Sequence, residues 1–335
     1  MKNPLLIQAC LVYTGIIPFS ISVFIGVPLA VLHNSLYQIY SVPSIQSKLF
    51  NRLLGLVNRR EFLRRQFASG QFSFFNSPEP SAVARRNCHI RKSTLNNRNV
   101  FELSSKNRKA SGTHVLYLHG GAYASSFLTF HWKFLSELVN KTGCIVTAPD
   151  FPFAPHHTYK DSFDMVDKLY RQLASEVDRA GMVFMGDSSG GGFALALAQK
   201  LQHEHLPQPS RIILISPWLD ITLGNPEIEH VNGIEPFLGI KGLREMGRLY
   251  AGDTDPAHYL LSPINGCLDN LGKISVFTGT KDILVSDARK LKHLAGIKNV
   301  EINYYEYEGM AHAWVFLNLP ESKKARHQIM ELVLN

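Results

Sequence analysis

Met182 to Phe193 constrains the fold of this chain more than any other stretch. Met182, Val183, Phe184 and Met185 form an apolar run, short enough to be a buried strand. Gly186-Asp187-Ser188-Ser189-Gly190 follows, and the next residues, Phe193 to Lys200, are rich in the helix formers Ala and Leu. A strand that turns at once into a helix brings two backbones close together. Gly186 and Gly190 remove the Cβ atoms that would collide there. The turn lifts one side chain, Ser188, clear of the strand end. The helix behind it aims N-terminal N–H groups at the same point, where they favour developing negative charge.

A turn of this kind needs a sheet around it, and the chain from residue 113 onward supplies one. His114–Leu118, Cys144–Ala148, Arg211–Ile215, Ile274–Thr278 and Glu301–Tyr307 read as further strands. Helical stretches at 131–140, 161–179, 190–203, 286–296 and 321–334 separate them, with Asp161 positioned to cap the second. Strands alternating with helices imply an α/β fold: a mostly parallel central sheet with helices on both faces. Two short strands, at 88–91 and 100–103, precede this core, and residues 70–82 read as a loop. Residues 220–265 break the alternation and are expected to form a helical cap inserted between two strands. The 335 residues suffice for one large α/β domain with additions. The expected layout is an apolar segment at 1–35, a basic helical and linker segment at 36–85 that joins the cap, and a catalytic domain at 86–335.

Composition narrows the class. With 45% hydrophobic and 19% charged residues the chain is globular rather than disordered. The net charge of +8 is unevenly spread: no Asp, Glu, Lys or Arg lies between Lys2 and Lys48, and basic residues then crowd 48–109. Phe72, Phe74 and Phe75 in that region form no RNA-binding motif, so nucleic acid is not an expected partner. Residues 4–32 are uncharged, mostly apolar and long enough to cross a bilayer, which takes about 20 residues. Three readings fit them: a membrane anchor, a cleaved signal peptide, or apolar helices packed as part of the cap, the last supported by Pro18 and Pro28. If the segment spans, the basic residues after it favour a cytoplasmic catalytic domain; otherwise a cytoplasmic protein is expected. Residues 44–68 read as a helix with Leu49, Leu53, Leu56 and Val57 on one stripe, suited either to anionic lipid or to a solvated face. Cys10, Cys88, Cys144 and Cys267 are scattered and read as free thiols.

Ser188 defines the chemistry to look for. A serine hydroxyl is a weak nucleophile at neutral pH and needs an adjacent base, which in turn needs a group to orient it. Asp282, in Thr278-Gly-Thr-Lys-Asp282, lies just after one strand, and His312, in Glu308-Gly-Met-Ala-His312, just after the last. Both fall at carboxyl ends of strands, where open α/β sheets carry their sites. Asp287 lies too far into a helix and Glu308 too close to His312 to serve as the acid. Acyl transfer also needs donors for an oxyanion. His119-Gly120-Gly121-Ala122-Tyr123 follows the strand 114–118, so the N–H groups of Gly120 and Gly121, with that of Ser189, are the expected donors. No metal or organic cofactor is expected.

Taken as a set, these motifs resemble the hormone-sensitive-lipase-like esterases, also called the α/β-hydrolase fold-3 group. His119-Gly-Gly-Ala-Tyr is similar to the family's oxyanion signature, and Gly186-Asp-Ser-Ser-Gly-Gly191 to its elbow around the nucleophile. Asp150-Phe-Pro-Phe-Ala-Pro155, Ser216-Pro-Trp-Leu-Asp220, Leu261-Ser-Pro263, Gly279-Thr-Lys-Asp282 and Gly309-Met-Ala-His312 match in order, covering roughly residues 113–318. The resemblance implies Ser188 as nucleophile, Asp282 as orienting acid, His312 as base, and a structural rather than catalytic Asp187. Ala122 stands where the family often has a third glycine, and His156 where it has glutamate. The expected activity is hydrolysis of small to medium acyl esters with apolar groups. Membrane-associated lipid or sterol-ester deacetylation, amide hydrolysis on the same triad, and a binding protein on a hydrolase scaffold are the alternatives.

Overall fold

The computed structural model describes residues 37–40, 43–56 and 76–335; the apolar run at 4–32, Cys10 and the 57–68 part of the expected basic helix lie outside the described residues. Among the described residues no helix is long and apolar enough to cross a membrane. The elements run β1 (Tyr37–Tyr40), α1 (Ile45–Leu56), α2 (Ala82–Asn87), β2 (Cys88–Leu95), β3 (Arg98–Ser105), β4 (His114–Leu118), α3 (Thr129–Thr142), β5 (Ile145–Pro149), α4 (Tyr159–Glu176), β6 (Met182–Asp187), α5 (Ser189–His203), β7 (Arg211–Ile215), α6 (Ile228–Asn232), α7 (Ile240–Ala251), β8 (Lys273–Gly279), α8 (Val285–Ile297), β9 (Ile302–Tyr307) and α9 (Pro320–Leu334).

The strands form one sheet in the order β1-β9-β8-β7-β6-β4-β5-β3-β2. β2 and β3 pair antiparallel, as do β3 and β5, and every other pair is parallel. Asn96 and Asn97, both at positive φ, make the tight turn between β2 and β3, a conformation that Asn tolerates better than most residues. The central strands are buried on both faces, which is why they read as unbroken apolar runs rather than alternating ones. Alternation returns one level down. Phe184, Leu116 and Leu214 point into a core shared with α4, α5 and α8, whereas Val183, Tyr117 and Ile213 point into a second core with α3 and α9.

One local expectation changes. Asp161 does serve the start of α4, but from its third residue, where its carboxylate accepts from the Thr158 N–H at 2.9 Å. On α1, Leu49 is 57% exposed, while Ser47 is buried and Asn51 donates to the Gly309 carbonyl at 2.7 Å. Ser44 and Ser47 bond the Glu321 carboxylate at the start of α9, so α1 docks through polar contacts.

The chain between β7 and β8 carries α6 and α7. Its two ends are fastened together near the sheet: Ser262 Oγ donates to Asp220 Oδ1 at 3.2 Å and accepts from the Ile221 N–H at 3.0 Å. Asp220 also accepts from the backbone and hydroxyl of Thr222. The Ser-Pro-Trp-Leu-Asp and Leu-Ser-Pro motifs are thus the two halves of one joint at the root of this insertion.

Candidate active site

β6 ends at Asp187 and α5 begins at Ser189, so Ser188 alone makes the turn, at φ 52° and ψ −123°. A β-carbon at Gly190 would meet the carbonyls of Leu118 and His119, and one at Gly186 the carbonyl of Gly190. The positive φ of Ser188 is held from both sides. Its N–H donates to the Ile215 carbonyl at 2.9 Å, and its own carbonyl accepts from Trp218, Gly191 and Gly192 at 2.8, 3.1 and 3.2 Å. A strained backbone persists only where its surroundings fix it in this way.

The loops after β8 and β9 bring Asp282 and His312 to this serine, from 94 and 124 residues away in sequence respectively. His312 Nε2 lies 3.0 Å from Ser188 Oγ. His312 Nδ1 lies 3.1 and 3.0 Å from the two oxygens of Asp282, so the Nδ1–H donates to the carboxylate and Nε2 is left to accept. All three side chains are buried. Asp282 Oδ1 also accepts from the Leu284 N–H at 2.9 Å, which fixes the carboxylate plane. Burial by itself lowers an imidazole pKa. The charge and hydrogen bond of Asp282, with smaller contributions from Glu235 and Asp187, outweigh it and hold His312 above the ordinary value. Asp287 bonds Asn225 Nδ2 instead, and Glu308 is exposed.

The loop after β4 is arranged differently from the sequence expectation at one position. The Gly120 N–H is not available to a substrate, because it donates to Asp187 Oδ1 at 2.9 Å. Asp187 also accepts from the Tyr117 hydroxyl at 2.6 Å and from His131 Nε2 at 3.2 Å. His131 Nδ1 accepts from the Leu128 N–H, which sets the tautomer with its proton on Nε2. Asp187 thus fixes the start of this loop to the strand that leads into Ser188. Gly121 at φ 127° and Ala122 at φ 54° then turn the backbone, and among the described residues the N–H groups of Gly121, Ala122 and Ser189 have no hydrogen-bond partner. The free donors are therefore Gly121, Ala122 and Ser189, and Ala122 replaces Gly120. Sequence reasoning missed Ala122 because nothing local in the sequence shows which N–H Asp187 captures.

Further contacts hold the loop in place. The Tyr123 N–H donates to Ser189 Oγ at 3.2 Å, and its carbonyl accepts from the Ala154 N–H at 2.8 Å. Asp150 accepts from the Ser126 hydroxyl at 2.6 Å and from Arg98 at 3.0 Å. His119 stacks on Phe151, with ring centres 4.4 Å apart. Burial, reinforced by the nearby His131, pushes His119 down to about 3, so it is neutral. Tyr250 of α7 stacks face to face on Tyr123 at 3.9 Å, which links the insertion to the loop.

A buried serine hydroxyl bonded to a histidine, which is in turn bonded to a carboxylate, next to a cluster of free N–H donors, is suited to acyl transfer. Residues 115–316 match the family described as alpha/beta hydrolase fold. The chain is 30% identical over 228 residues to an esterase from Acinetobacter venetianus, covering 67% of this chain and 75% of that protein. It is 31% identical over 220 residues to an acetyl-hydrolase from Streptomyces hygroscopicus, covering 65% and 74%. Among solved structures, an esterase from the bacterial hormone-sensitive lipase family shares the fold with a TM-score of 0.73 at 23% identity, over 86% of this chain and 96% of that one. The chain belongs to the α/β-hydrolase family. It is an enzyme of the serine ester hydrolase class.

Proposed function

We propose that this enzyme hydrolyses carboxylic esters with small to medium acyl groups through a covalent intermediate on Ser188. The carrying observation is the unbroken run of hydrogen bonds from Ser188 Oγ through His312 to Asp282. In the first half-reaction, Ser188 Oγ bonds to the acyl carbon while His312 Nε2 takes the hydroxyl proton. The carbonyl π electrons move onto oxygen, and the N–H groups of Gly121, Ala122 and Ser189 bind that oxyanion. When the tetrahedral species collapses, the bond to the alcohol oxygen breaks and His312 returns its proton to that oxygen. Water then attacks the acyl-enzyme by the same route, releasing the acid and restoring Ser188. The β7–β8 insertion serves as a cap over the site. A short acyl group is supported by the Streptomyces relative, which is an acetyl-hydrolase.

The test is a series of p-nitrophenyl esters from acetate to palmitate, run beside labelling with a fluorophosphonate. The expected outcome is turnover that falls with increasing chain length and a single phosphonylated peptide containing Ser188. Labelling elsewhere, or no turnover with any ester, rejects the reading.

The pH dependence follows from His312. Only the neutral imidazole can accept the Ser188 proton, so kcat/KM rises with pH through the pKa of His312 in the free enzyme. Because that pKa is raised, the acid limb is expected to be centred above the ordinary histidine value of about 6.5. A limb centred below this value contradicts the assignment of His312 as the base.

A further inference from the structure

The β7–β8 insertion sends one acid into the interior. Glu235, between α6 and α7, is 1% exposed. Its Oε1 accepts from the Phe237 N–H at 2.8 Å within its own turn. Its Oε2 reaches across to the sheet and accepts from two distant donors, the Ile283 N–H at 3.2 Å and the His312 N–H at 3.3 Å. One donor is the residue after Asp282, and the other is the backbone of the histidine itself. The two loops also bond each other further back, Lys281 N–H to the Met310 carbonyl at 2.9 Å and Gly309 N–H to Thr280 Oγ1 at 2.8 Å. Glu235 closes the end nearest Ser188.

A buried carboxyl is costly unless its oxygens are hydrogen-bonded, and here backbone N–H groups do most of this. The ionisable groups around it are Asp282 on one loop and His312 on the other; His312 in turn faces Asp282, Glu235 and Asp187. Burial, with the like charge of Asp282, pushes Glu235 up to about 7, while His312 and the backbone donors pull it back. The group therefore responds to charge on His312, and charge on His312 is what changes during acyl transfer.

We propose that Glu235 is a positioning residue for the triad: it holds the acid and base loops in register, and its negative charge favours the His312 imidazolium that forms when Ser188 attacks. This rests on the Ser188–His312–Asp282 reading given above. The insertion is then part of the catalytic frame as well as a cover, since Tyr250 stacks on the oxyanion loop and Glu235 ties the other two loops.

Two variants of the full chain separate charge from reach. Glu235→Gln keeps the length and an acceptor oxygen but removes the charge. It is expected to lower kcat about 10-fold with KM within about threefold, and to move the acid limb of kcat/KM to lower pH, because His312 loses a negative neighbour. Glu235→Asp keeps the charge and loses one methylene of reach, so kcat falls while the acid limb stays near that of the parent. A role in folding alone lowers thermal stability without moving the limb in Glu235→Gln. If neither variant folds, hydrogen exchange in the Ser188→Ala chain decides: protection of the Ile283 and His312 amides should weaken together on acidification, and independent behaviour overturns the proposal. Ser188-dependent turnover with an unchanged kcat and acid limb in folded Glu235→Gln also overturns it. Absence of Ser188-dependent turnover in the parent rejects the triad reading instead.

Discussion

Ser188→Ala is expected to lower kcat for p-nitrophenyl butyrate by about 10⁵- to 10⁶-fold, with KM changed by less than about threefold. The size of the loss follows from what the hydroxyl does. Without Oγ there is no acyl-enzyme, and His312 has no proton to take, so base and orienting acid become idle together. What survives is water attack assisted by the free N–H groups of Gly121, Ala122 and Ser189, which is worth only a small part of the total. KM should hold because the substitution removes one small polar atom and no binding surface. The fold should hold as well. Among the described residues the side chain of Ser188 bonds only His312, whereas the turn is fixed by backbone bonds to Ile215, Trp218, Gly191 and Gly192, which alanine keeps. Initial rates on carefully purified protein, with a thermal melt of both chains, provide the check. Retention of more than about one hundredth of parent kcat, with the melt unchanged, assigns the nucleophile to another residue.

Much of this site was legible because its parts are local. The elbow is one uninterrupted stretch, and Asp282 and His312 each follow an apolar strand, so chain order and strand ends located them before any contact was known. The parallel sheet was legible for the same reason, since strands buried on both faces leave unbroken apolar runs. What could not be read depends on which distant groups meet. The Gly120 N–H is captured by Asp187, 67 residues away, whereas among the described residues the Ala122 N–H is left without a partner. Glu235 is one acid in an insertion without strand–helix alternation, and only the folded chain brings it to Ile283 and His312.

Asp282→Asn is the second large effect, expected to lower kcat by about 10,000-fold while leaving the fold intact. The geometry supplies the reason. Asp282 Oδ1 accepts from the Leu284 N–H, so an asparagine keeps its carbonyl oxygen there and presents its NH2 group where Oδ2 now lies, 3.0 Å from His312 Nδ1. Two donors cannot face each other, so Nδ1 must give up its proton and accept. The proton then resides on Nε2, which points at Ser188 Oγ and can no longer take the serine proton. The substitution also removes the charge that stabilises the imidazolium. A second readout separates these effects from damage to the fold. Asp282 is the largest influence raising the His312 pKa, so the residual activity of Asp282→Asn should show its acid limb at lower pH than the parent. The like charge beside Glu235 disappears as well, so the Glu235 carboxyl should also titrate lower. A pH profile of kcat/KM on the variant, extended well below neutrality, measures the shift. A fall of less than about tenfold in kcat, or an acid limb that does not move, means that Asp282 is not the group that orients His312.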